Sequence, residues 1–181
     1  MTAPRTVVGD TVVRGQAAAE RVRSAVAAVR DPEIRVLTIE ELGILRDVSA
    51  EDDGRVVVTI TPTFLGCPAM DVIRADVAAA ARDAGCAEVE IVTVLSPPWT
   101  TDWLSDAARA KLAAAGIAPP VRRDDPGGRT LPLLMPALRA PRCPRCGSAA
   151  TAEIARAGST ACKALWRCDA CRQPFDHVKD H

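Results

Sequence analysis

Thr61-Pro62-Thr63-Phe64-Leu65-Gly66-Cys67-Pro68-Ala69-Met70-Asp71 is the stretch where a strand gives way through a tight turn to a helix, and the rest of the chain is arranged around it. Upstream, Arg55-Val-Val-Val-Thr-Ile60 is a β-branched run bounded by Gly54 and Pro62, the pattern of a buried strand. Downstream, Pro68 suits the first turn of a helix, where a backbone N–H has no intrahelical partner to lose. Met70, Ile73, Val77 and Ala80 follow at helical spacing, and Gly85 is placed to close the helix as a C′ glycine. Cys67 then falls at or near an N-cap, where converging N–H groups and the helix dipole bias a thiol toward thiolate. The same residue can also be read as a small hydrophobe packed in a turn.

No overall field draws this chain to nucleic acid or anionic lipid, because 23 Lys and Arg balance 23 Asp and Glu across 181 residues. No apolar run approaches a membrane span, and the first 17 residues lack the apolar middle of a signal peptide, so the expected location is cytoplasmic. In such a reducing compartment, 7 cysteines point to metal or thiol chemistry rather than to disulfides.

Residues 1–14 carry no periodic pattern and read as a loose lead-in. From Gln16, Ala18, Val22, Val26 and Val29 share one helical face, and Pro32 stops the helix near Arg30. A polar connection through Asp31-Pro32-Glu33 reaches Gly43. Ile44–Val48 and the central strand, joined by Glu51-Asp52-Asp53-Gly54, then form a hairpin. Val89–Leu95 gives a third strand, reached through a helical crossover. Thr101 is placed to cap a last helix carrying Leu104, Ala108, Leu112 and Ala115, with Gly116 beyond its end. The expected fold class is α+β, a small mixed three-stranded sheet packed with helices over residues 15–118. Residues 119–141 hold six prolines and a Gly-Gly pair and read as a linker, with the apolar 131–138 piece expected to lie against a domain.

Residues 142–181 carry a second site. Cys143-Pro144-Arg145-Cys146-Gly147 and Cys168-Asp169-Ala170-Cys171 have the spacing that lets paired sulfurs meet one tetrahedral ion, with a hairpin between the knuckles. Some 40 residues with one tryptophan cannot readily fold on an apolar core alone, and four thiolates on zinc supply on the order of 10 kcal/mol. Zinc is the expected ion; mononuclear iron or an iron–sulfur cluster are the alternatives these donors admit. Eight Lys or Arg against four Asp or Glu over residues 139–181 leave the metal-loaded ribbon only weakly basic, which argues against nucleic-acid binding. Cys162 falls in the hairpin and Cys86 reads as a buried small residue; His177 and His181, close after the second knuckle, are candidate metal ligands, although terminal histidines of this kind are more often solvated.

Asp31-Pro32-Glu33-Ile34, Asp47-Val48, Thr61-Pro62-Thr63 and Gly66-Cys67-Pro68, with the helix that follows, resemble the iron–sulfur assembly domain of SufT and its eukaryotic cytosolic counterparts. Pro98-Trp99-Thr100-Thr101-Asp102-Trp103, Gly116-Ile117-Ala118-Pro119-Pro120, the 158–165 stretch and Pro174-Phe175-Asp176-His177 extend the resemblance. Together with the four-cysteine ribbon they are similar to the PaaD family, small subunits associated with the phenylacetyl-CoA epoxidase of aerobic phenylacetate degradation. One departure lies at the end, where the family's Phe-Asp-His-Phe-Lys-Cys-His is matched here by Phe175-Asp176-His177-Val178-Lys179-Asp180-His181.

The resemblance implies an accessory protein that helps a multicomponent oxygenase acquire or keep its metal centres. It makes Cys67 a transient ligand for iron or a cluster, supported by Asp31, Glu33 and Thr63. Its partners would be the di-iron oxygenase and iron–sulfur reductase subunits, and a homodimer through the free sheet edge stays open. The alternative is a non-catalytic scaffold that docks oxygenase subunits through the ribbon and the Trp99–Trp103 loop. Catalysis by the isolated chain is not expected, because a thiol nucleophile needs a base and both histidines lie beyond the ribbon cysteines.

Overall fold

The β-branched run Val56-Val57-Val58-Thr59-Ile60 is the central strand of a three-stranded sheet. The computed structural model describes residues 8–51, 53, 55–86, 88–121 and 140–179. Their order is α1 (Val8–Ala27), β1 (Leu45–Ala50), β2 (Val56–Ile60), α2 (Ala69–Asp83), β3 (Val89–Thr93), a 3-10 turn (Thr101–Trp103), α3 (Asp106–Ala114), β4 (Thr151–Ala155), β5 (Lys163–Cys168) and β6 (Pro174–Val178). The chain divides into two compact units, Met1–Trp99 and Thr100–His181. Helix α3, placed above in a 15–118 domain, is thereby grouped with the ribbon.

In the first unit β1 pairs antiparallel with β2, setting Val48 opposite Val58, and β3 pairs parallel with β2, setting Ile91 opposite Val58. The α+β class and the mixed sheet are as the sequence indicates. Helix α1 packs against β1, β2 and α2, and α2 against β3. Between them lie Val22, Val26, Leu37, Ile39, Leu42, Ile44, Val56, Val58, Ile60, Ile73 and Val77, all essentially sealed from solvent. Each such aliphatic side chain contributes about 1.5–3 kcal/mol on burial, so this unit is built around an apolar core. Trp99 is also buried, and its indole N–H donates to the Leu42 carbonyl at 2.7 Å.

Several boundaries differ from the sequence reading. Helix α1 begins at Val8, inside the stretch read as a lead-in, because a helix nucleated in the alanine-rich segment propagates outward at little cost. It ends at Ala27, since the chain ahead of Pro32 is already extended and Arg30 bridges to Thr38. In α2 the buried face is completed by Ala81 rather than Ala80, and Gly85, at φ +85°, ends the helix as expected. Helix α3 is capped by Ser105, whose hydroxyl accepts the Ala108 N–H at 3.1 Å, not by Thr101. Leu104 is extended and separates α3 from the 3-10 turn, which Thr100 caps.

The second unit is an antiparallel sheet in the order β4-β5-β6. Its core is small, consisting of Ala118, Cys143, Ala164, Trp166, Cys168 and Phe175, with Cys171 against it. The loop before β5 is built around Asp176, which accepts from the Ser159 hydroxyl at 2.9 Å and pairs with the buried Lys163 ammonium at 3.6 Å. Gly158 sits beneath it. The 131–138 piece expected to pack on a domain lies outside the described residues.

A Cβ at residue 158 would meet Asp176 Oδ1 at 3.1 Å, the Ala164 carbonyl carbon at 3.3 Å and the Leu165 nitrogen at 3.4 Å. Two of these atoms are backbone and cannot swing away. Gly158→Ala is therefore predicted to destabilise the ribbon by about 1–3 kcal/mol. The measurement is the urea midpoint for zinc release to a chromophoric chelator, and an unchanged midpoint contradicts the packing described here.

Candidate functional site

The C-terminal end of β2 delivers the chain into the turn that carries Cys67. Thr61 and Pro62 are buried, Thr63 and Phe64 half-buried, and Leu65 and Gly66 exposed. Gly66 takes φ +82°, a left-handed conformation that glycine adopts without Cβ strain, and the Cys67 N–H returns to the Phe64 carbonyl at 3.3 Å. Pro68 occupies the cap and α2 starts at Ala69, so Cys67 lies one residue before the cap. Arg74 fixes the first turn of α2, reaching Asp71 at 2.9 Å and the Thr93 hydroxyl of β3 at 3.0 Å. The sequence reading passed over Arg74; its signal was the Asp71–Arg74 spacing of three on a helix.

The Ala69 N–H and the Thr63 hydroxyl lie near the half-buried Cys67 sulfur, with Glu33 and Asp31 close enough to act on its charge. Asp31 is 5% exposed and accepts the Glu33 N–H at 2.8 Å and the Ile34 N–H at 2.6 Å, holding its loop as an Asx turn. The structure thus brings together Cys67, Thr63, Asp31 and Glu33. Burial is the largest influence on the thiol and pushes its pKa above the ordinary value. The Ala69 amide and the Thr63 hydroxyl pull it down, while the Glu33 and then the Asp31 carboxylate raise it further. The net shift is upward. The thiolate bias inferred from helix position is therefore corrected: the amide acts as expected, but desolvation and two carboxylates outweigh it.

The ribbon cysteines form a different kind of site. Cys143 and Cys171 sulfurs are 3.7 Å apart, Cys146 and Cys168 sulfurs 3.6 Å apart, and all four lie within 4.8 Å of one another. Zn–S bonds of about 2.3 Å in a tetrahedron require sulfurs separated by about 3.8 Å, so the donor set fits zinc. The two knuckles repeat one geometry. Gly147 N–H donates to the Cys143 carbonyl and Arg172 N–H to the Cys168 carbonyl, both at 2.9 Å. Cys143 N–H donates to Ser148 O at 2.9 Å, and Cys168 N–H to Gln173 O at 3.0 Å. The left-handed residue closing each knuckle is Gly147 at φ +71° and Arg172 at φ +63°. Aligning the two Cys-x-x-Cys stretches on each other would have revealed Arg172 in the glycine's place.

Amides aimed at sulfur prepare these ligands. The Cys171 N–H, Cys146 thiol and Ala170 N–H together outweigh burial and bring the Cys168 thiol down to about 6. At Cys146 the Ser148 N–H lowers the thiol, but the thiol partners at Cys168, Cys143 and Cys171, with desolvation, carry it up to about 12. The metal-free cluster shares its protons unevenly, and a divalent ion displaces them.

Among the described residues these four cysteines are the one group of three or more Cys, His, Asp or Glu whose donor atoms converge. Cys67 with Asp31 and Glu33 is not such a preformed cage. His177, read as solvated, is instead buried edge-on to Trp166 with centroids 6.0 Å apart, its Nδ1 3.2 Å from the Ala118 carbonyl oxygen. His181 lies outside the described residues. Cys162 is buried with its sulfur 3.1 Å from the Thr160 hydroxyl, and Cys86, read as buried, is half-buried with its S–H donating to the Glu88 carbonyl at 3.2 Å. Among the described residues no helix is long and apolar enough to cross a membrane.

Comparison with known proteins matches residues 19–94 to the family model "Iron-sulfur cluster assembly protein" and residues 134–179 to "PaaD zinc beta ribbon domain". A relative from Escherichia coli K12, a putative 1,2-phenylacetyl-CoA epoxidase subunit, is 44% identical over 151 residues, 83% of this chain and 86% of that protein. The "Fe-S protein maturation auxiliary factor YitW" of Bacillus subtilis is 36% identical over 54% of this chain and 95% of its own length. A crystal structure of a DUF59 domain from Bacillus anthracis is 32% identical with a TM-score of 0.48, covering 53% of this chain and 92% of that one.

Removing the Glu33 charge should lower the Cys67 pKa, because a nearby negative charge disfavours thiolate. Glu33→Gln is predicted to speed alkylation of Cys67 at pH 8 by roughly two- to fivefold, with Cys86 as internal control. Peptide mass spectrometry reads the rate, and equal rates in variant and wild type would show that the carboxylate does not act on the sulfur.

Proposed function

The chain belongs to the PaaD family, and on that premise we propose that it is a cytoplasmic accessory subunit of a phenylacetyl-CoA epoxidase, the ring-1,2-epoxidising oxygenase of aerobic phenylacetate degradation. Its task is to assemble or maintain the iron or iron–sulfur centres of that complex. The di-iron oxygenase and iron–sulfur reductase subunits are its clients.

The observation that carries this reading is the setting of Cys67. A half-buried thiol beside two carboxylates is a poor place for a lone thiolate but a good place for a thiolate paired with a cation. The carboxylates that raise the pKa of the empty thiol offset the charge of an arriving iron ion, which displaces the proton. One soft donor without a preformed cage holds such cargo weakly, as a carrier requires, and leaves coordination positions for the recipient's ligands. In this role the isolated chain need not turn over substrate.

A scaffold that docks oxygenase subunits through its ribbon is the second reading. It is favoured by Ile154, 54% exposed on the edge strand β4. The tryptophan loop supports it less, because Trp99 is spent on the Leu42 carbonyl.

Cys67→Ser separates the two. In cells lacking the wild-type protein, the variant should fold, keep its zinc and bind its partners, while epoxidase activity falls roughly tenfold or more and the client subunit is recovered poor in iron. Full activity with a fully metallated oxygenase overturns the carrier reading and leaves the scaffold.

A further inference from the structure

Residues 95–133 fall between the two stretches matched by family models. Within this gap the described residues 100–121 form a built element. Ala118, 1% exposed, sits in the ribbon's own core with Trp166, Phe175 and two of the metal-binding cysteines, Cys143 and Cys168. Its N–H donates to the Asp176 carbonyl at 2.8 Å, and its carbonyl accepts the Val178 N–H at 3.1 Å, a parallel bridge on the free side of β6. His177 Nδ1 lies 3.2 Å from that same carbonyl oxygen. The ribbon sheet is thus extended by a segment that precedes the first knuckle by some 25 residues.

That segment is tied in turn to α3. The Ile117 N–H donates to the Leu112 carbonyl at 3.0 Å, and Gly116, at φ +77°, makes the reversal. Arg109 reaches out of α3 in two directions, to the Pro120 carbonyl at 2.6 Å and the Thr101 carbonyl at 2.7 Å, clamping both ends of the segment. A helix of nine residues is marginal in isolation, so α3 draws its order from these attachments together with the packing that buries Ala108 and Leu112. Their anchor is β6, and among the described residues the core of that sheet is a small cluster around Trp166 and Phe175, too little to hold it without its metal.

We propose that metal binding at Cys143, Cys146, Cys168 and Cys171 orders residues 100–121 together with the ribbon, so that this segment is a metal-dependent clasp. The clasp begins at Thr100, one peptide bond after Trp99, which is pinned to Leu42. The chain next to the first unit therefore changes from ordered to released according to whether the ribbon holds its ion. Zinc in this protein governs more than the two knuckles.

The test uses the full chain, zinc-loaded and after stripping with a zinc chelator, followed by amide hydrogen exchange. Stripping should speed exchange at Gly147, Arg172 and Val178 and, in parallel, at Ala118, Ile117 and the amides of α3, by more than about tenfold, while β2 amides stay protected. Persistent protection of Ala118 and α3 once the knuckle amides exchange overturns the proposal. So does loss of β2 protection at the same step, because the effect would then be global. Arg109→Met, read with zinc retained, tests the link to the helix: α3 amides should exchange faster with the knuckle amides unchanged, and equal protection of α3 overturns the clasp.

Discussion

Parallel pairing of β2 with β3 is the constraint from which the first unit follows. Two strands that run the same way cannot be joined by a tight turn, so the chain must travel back along the sheet, and α2 makes that journey. The start of α2 is thereby carried to the end of the sheet where β2 finishes, and Cys67 is held in the short segment between them. Arg74 reinforces the arrangement by joining the first turn of α2 to Thr93 at the corresponding end of β3. The sulfur's position is thus a consequence of topology before it is a matter of local turn chemistry. Asp31 and Glu33 come to the same place by another route, through the Asx turn that follows α1.

The two sulfur sites differ by what surrounds the charge. In the ribbon, amides from Cys171, Ala170 and Ser148 point at thiol sulfurs, so thiolate charge is partly met before any ion arrives. Around Cys67 one amide and one hydroxyl do the same work, but burial and two carboxylates overcome them. The first arrangement favours a resident ion, because four donors are already within bonding reach of a common centre. The second penalises the bare thiolate and rewards only a thiolate that brings a cation with it.

How much of this could be read from sequence depends on the range of the interaction involved. The central strand, the hairpin, the C′ glycine at Gly85 and both cysteine knuckles are local patterns, and each was legible in a few consecutive residues. The zinc site was the clearest, because metal coordination fixes spacing as well as residue type. Errors arose where a distant neighbour decides. The pKa of Cys67 is set by burial and by Glu33 and Asp31, more than 30 residues away, so its helix-end position gave the wrong sign. His177 reads as a solvated terminal residue until Ala118 and Trp166 close over it. Ser105 displaced Thr101 as the cap of α3 because Leu104 is extended, and both serine and threonine are good caps, so composition alone could not choose.

Placing both sulfur sites on one chain raises a competition that their chemistry resolves. Any soft divalent ion reaching the protein would prefer four converging thiolates to a single protonated thiol. If Cys67 carries iron as proposed, an empty ribbon would compete with it for that ion. Zinc stands above ferrous iron in the usual order of affinity for such donors, so a ribbon filled with zinc does not exchange it for iron. On the proposed carrier reading, filling the ribbon removes the stronger site from the contest and leaves Cys67 to hold the iron. In a protein that carries iron through Cys67, the structural ion is then a condition of the carrier's function as well as of its fold.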